Sequence, residues 1–79
     1  MLTARQTVDT SFLEARHMLL EIAALLDRHD AAAARDGGRG ADGDAAERLA
    51  ALREALGILA ADGCGGERTV RLLELFARV

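Results

Sequence analysis

From Ser11 to Ala34, in SFLEARHMLLEIAALLDRHDAAAA, apolar residues return with the period of an α-helix and spread around most of its circumference. At about 100° per residue, Phe12, Ala15, Leu19, Ile22, Ala23 and Leu26 fall on one broad face. Leu13, Leu20 and Ala24 widen that face on one side, and Met18 and Leu25 widen it on the other. The charged residues are confined to a narrow stripe of Glu14, His17, Glu21 and Arg28, with Arg16 and Asp27 set apart from it. A helix apolar over more than one stripe is covered by more than one neighbour, which makes this the expected central helix.

Two further periodic stretches follow. DAAERLAALREALGILAA, 44–61, carries a narrow row of Ala45, Leu49, Leu52, Leu56 and Leu59, with Asp44 as its expected N-cap. Gly57 inside it lowers helix propensity by about 1 kcal/mol relative to alanine and points to a close approach by another helix. ERTVRLLELFARV closes the chain, with Val70, Leu72, Leu73, Phe76 and Ala77 as its apolar face and Glu67, Arg71, Glu74 and Arg78 as its polar one. The glycines of RDGGRGADG and of DGCGG break the pattern between these stretches.

The expected architecture is therefore all-α, a three-helix chain with a long central helix and a helical pair. Residues 1–10 form an N-terminal arm, and 11–79 form one helical domain. Within it lie helix 1 at about 11–34, a flexible linker at 35–43, helix 2 at about 44–61, a turn at 62–66 and helix 3 at about 67–78. Both Thr3 with Gln6 and Ser11 with Glu14 have capping-box spacing, and the later pair is taken as the start. Helices 2 and 3 each have one face to bury and helix 1 has nearly two. Its surplus surface, Phe12, Leu13, Leu20 and Ala24, is the expected contact of a homodimer built as a helical bundle.

Composition strengthens the case for a partner. A chain of 79 residues buries only about 60% of its unfolded surface, and small domains of this kind rely on disulfides, metals or association. One cysteine, Cys64, cannot close an internal disulfide. The net charge of −3 argues against a nucleic-acid surface. All ten basic side chains are arginines, which removes lysine-based catalysis. Charges interrupt every apolar run before membrane-spanning length, and the N-terminus lacks the order of a signal peptide, so a cytoplasmic location is expected.

Candidate chemistry is sparse. Glu14-Ala-Arg-His17 is an E-x-x-H sequence, and Glu21 adds a carboxylate one turn further along the same side. Over these few residues the chain resembles di-iron carboxylate bundles, in which such pairs from facing helices hold the metals. That resemblance implies a metal site for iron, manganese or zinc at Glu14, His17 and Glu21, completed across a dimer. Glu47 and Glu54 depart from it by lying away from the leucine row of helix 2. The simpler reading is a solvated stripe in which Glu21 pairs with His17 or Arg28, with no cofactor.

Gly38-Arg-Gly40-Ala-Asp-Gly43 spells a dinucleotide fingerprint but lacks the preceding strand that the mechanism needs. The same stretch resembles one calcium-binding nonapeptide repeat, and a single copy has nothing to stack on. Cys64 stands in a glycine turn without a resolving cysteine, and reads as a plain turn residue. A helix-turn-helix reading of helices 2 and 3, with Arg68, Arg71 and Arg78 toward DNA, is opposed by Glu67 and Glu74 among them. The expected function is a non-catalytic helical module that forms a homodimer and contacts other proteins.

Overall fold

The computed structural model describes residues 1–37, 42–61 and 66–79. It contains three helices, α1 (Ala4–Arg35), α2 (Gly43–Ala60) and α3 (Arg68–Ala77), and no strand among the described residues. The chain divides into two units, Met1–Gly38 and Arg39–Val79.

In the first unit, α1 starts well ahead of Ser11, so most of the expected arm is helix. The reason is local. The Gln6 backbone N–H donates to Thr3 Oγ1 at 3.1 Å, and the Thr3 N–H donates to Gln6 Oε1 at 2.9 Å. This reciprocal box satisfies two donors that a helix start leaves open. No glycine or proline lies between it and Ser11 to stop propagation, and Arg5 and Asp9 pair one turn apart at 3.7 Å. At the other end α1 stops at Arg35 as expected, with Gly37 at φ +74°, the left-handed conformation that glycine takes without a Cβ clash. None of its residues is buried.

In the second unit, α2 and α3 pack on one another through Ala51, Ala55 and Leu75, with Ile58 and Leu72 against them. This differs from the expected faces. On α2 the contact runs along the alanine side, while Leu49, Leu52 and Leu56 are half-buried and Leu59 is exposed. On α3 it runs through Leu72 and Leu75, leaving Val70, Leu73 and Phe76 exposed. Two alanines one turn apart make a shallow seat that a leucine knob fills, and polar ties on both sides of it fix the direction of α3.

At one end Arg68 donates from Nε to the Leu59 carbonyl at 3.2 Å and from Nη2 to the Ala61 carbonyl. The first carbonyl lies in the last turn of α2 and the second at its C-cap, where the helix dipole favours a cation. At the other end Arg78 lies 4.0 Å from Glu54. Two smaller expectations also change. Asp42, not Asp44, is the N-cap of α2 and makes no side-chain bond there. Gly57 faces open space, so it accommodates no close neighbour.

Candidate interaction site

The apolar surface of α1 is its most extensive chemical feature. Phe12 is 57% exposed, Leu13 73%, and Leu19 and Leu20 56% each. Phe12, Ala15, Leu19, Leu20 and Ala23 line a shallow groove with Arg16 at its rim. The four residues expected to make a dimer contact, Phe12, Leu13, Leu20 and Ala24, are all exposed. Exposed leucines singly are ordinary on a protein surface, but a contiguous row along a helix marks a contact site.

Because α1 begins at Ala4, a longer pattern is continuous on it. Val8, Phe12, Ala15, Leu19, Ile22, Leu26, His29 and Ala33 succeed one another by alternating steps of four and three. This is heptad spacing, with Phe12, Leu19, Leu26 and Ala33 at a and Val8, Ala15, Ile22 and His29 at d. Seven of these eight positions lie within 11–34, and the start of α1 at Ala4 adds Val8 to the row.

Glu14, His17 and Glu21 lie on the side of α1 away from this row, and all three are exposed. His17 Nε2 and Glu21 Oε1 are 3.2 Å apart, each side chain about 70% exposed, the ordinary i,i+4 pairing of a solvated helix face. Among the described residues no three histidines, cysteines or acidic side chains gather as a metal set. Glu47 and Glu54 lie exposed on α2, where Glu54 is taken up by Arg78.

His29 donates from Nδ1 to Asp30 Oδ1 at 3.0 Å, and its Nε2 is buried without a hydrogen-bond partner. Arg68, weighed from sequence as a DNA contact, instead donates to the carbonyls of Leu59 and Ala61 at the end of α2. Cys64 and most of the Gly38–Gly43 motif lie outside the described residues. Among the described residues no helix is long and apolar enough to cross a membrane.

Compared with known proteins, the chain matches no family model, no curated protein and no solved structure.

Proposed function

We propose that this chain is a small non-catalytic helical module that associates with itself through α1 and presents the rest of that apolar surface to other proteins. The observation that carries the reading is the contiguous exposed row on α1 that includes Phe12, Leu19 and Leu20. Leaving such a row in water forgoes on the order of 1.5–3 kcal/mol for each large side chain a partner would cover. The second unit adds to the argument, because a core of Ala51, Ala55 and Leu75 is small even for a chain of this size. Size-exclusion chromatography with light scattering tests the reading directly. A mass of two chains is expected, and a single-chain mass at every concentration up to the millimolar range overturns it.

A second reading, a metal held by His17 and Glu21 with Glu14, draws on one distance. The 3.2 Å between His17 Nε2 and Glu21 Oε1 suits two donors each about 2.1 Å from one zinc ion. The first reading predicts no site there. Equal and negligible iron, manganese and zinc in the native chain and in His17→Ala, purified without chelator, ends the metal reading. Stoichiometric metal that His17→Ala loses supports it.

A further inference from the structure

We propose that two copies pair α1 against α1 in antiparallel orientation and in one register, with Arg16 of each copy against Asp30 of the other. The proposal rests on self-association through α1 and adds its geometry. It moves the contact from Leu13, Leu20 and Ala24, which fall at b and f positions on the far side of the helix, onto the heptad row.

The two flanks of that row differ in charge. One flank, the e positions, carries Asp9, Arg16, Ala23 and Asp30 at seven-residue steps. The other, the g positions, carries Ala4, Ser11, Met18, Leu25 and Ala32, none of them charged. In a parallel pair each e flank faces a g flank. The charges of α1 would then meet no charge, and Asp30 would be set beside the apolar Leu25 of the second copy. In an antiparallel pair e faces e, so the charged flank meets itself in reverse order. Orientation thus decides whether these charges are used at all.

Register follows from the order minus, plus, small, minus. Centring the pair near Ala23 sets Arg16 against Asp30 twice and brings Ala23 against Ala23, where two small side chains let the helices close. Sliding one heptad toward fuller overlap sets Asp9 against Asp30 twice, and one heptad further sets Arg16 against Arg16. A third step sets Asp9 against Arg16 twice and so also pairs unlike charges, but it overlaps only residues 4–21 and leaves Ile22 and Leu26 uncovered, whereas the first arrangement pairs 11–35. It also places Leu19, Ile22 and Leu26, the largest aliphatic residues of the row, in the central layers and leaves Val8 and Phe12 beyond the paired stretch. Arg16 and Asp30 are both exposed, and the Asp30 carboxylate that accepts from His29 retains lone pairs for a guanidinium.

Spin labels and charge exchange test this on the full chain with Cys64→Ser. A label at Asp9→Cys is expected about 40 Å from its counterpart, since some 28 residues of helical rise separate the two sites. A distance near 30 Å reports the slipped register and one below about 20 Å a parallel pair or the short register with Asp9 against Arg16, and each overturns the proposal while leaving self-association standing. A single-chain mass by light scattering overturns both. Independently, Arg16→Asp is expected to weaken the dimer on the order of tenfold, and Arg16→Asp with Asp30→Arg to restore it. Equal dissociation constants for the native chain and Arg16→Asp, or no restoration in the double variant, also overturn the register. Both side chains lie on the exposed surface of a helix, so these exchanges leave the fold of each copy intact.

Discussion

Arg68 shows how one side chain decides a helix pair. It sits at the first position of α3, and its guanidinium takes the Leu59 and Ala61 carbonyls at the end of α2. A charge-assisted hydrogen bond is stronger than a neutral one, and the one to the Ala61 carbonyl is partly sheltered from water. Arg68→Met keeps the aliphatic stem and removes both bonds. It is expected to destabilise the second unit by about 1–2 kcal/mol in urea unfolding, with the loss of α3 helicity followed by amide exchange. Arg71→Met, on an exposed position one turn short of this contact, is expected to leave the midpoint unchanged. The role of Arg68 was not legible in the sequence, because an arginine after a glycine turn reads equally as a cap, an ion-pair partner or a phosphate contact. Which carbonyls it meets depends on the path of the turn.

At the scale of elements, periodicity and glycine placed the three helices and the end of α1 correctly, since each signal is local. The start of α1 was ambiguous for a local reason too, as Thr3 with Gln6 and Ser11 with Glu14 have the same spacing. With no residue between them to break a helix, the outer box defines the end. The faces of α2 and α3 were less legible. Ranking by hydrophobicity selects the leucine row of α2, whereas packing selected Ala51 and Ala55, whose small size is what lets Leu75 seat. Leu75→Ala is accordingly expected to cost about 2–3 kcal/mol, more than Leu73→Ala on the exposed side. Gly57 provides the opposite test. It is helical, exposed and faces open space, so Gly57→Ala is expected to raise the stability of the second unit by about 1 kcal/mol. A Gly57→Ala chain with a lower midpoint would indicate a neighbour at that position.

For the whole molecule, the sequence pattern pointed to a shortage of core, and the described residues have few buried side chains. The candidate site was legible in part. Phe12, Leu13 and Leu20 are exposed, while the heptad row of Phe12, Leu19 and Leu26, to which the continuous α1 adds Val8, emerges only when the apolar positions are sorted by steps of three and four and not as one broad face. A self-associating helix has a thermodynamic signature that a monomer lacks. The melting temperature of α1, followed by circular dichroism, is expected to rise with protein concentration, and an unchanged value over a hundredfold range would count against pairing. The Arg68 cap carries a consequence for time rather than for stability. It joins α2 and α3 through residues close in the chain, so the second unit closes a short loop and folds from local contacts, a topology associated with microsecond to millisecond rates. The pairing of α1 proposed above would await the encounter of two chains. Under the proposed pairing, refolding after dilution is expected to divide into an early phase indifferent to concentration and a later one that accelerates with it, the second unit being complete before α1 finds its partner.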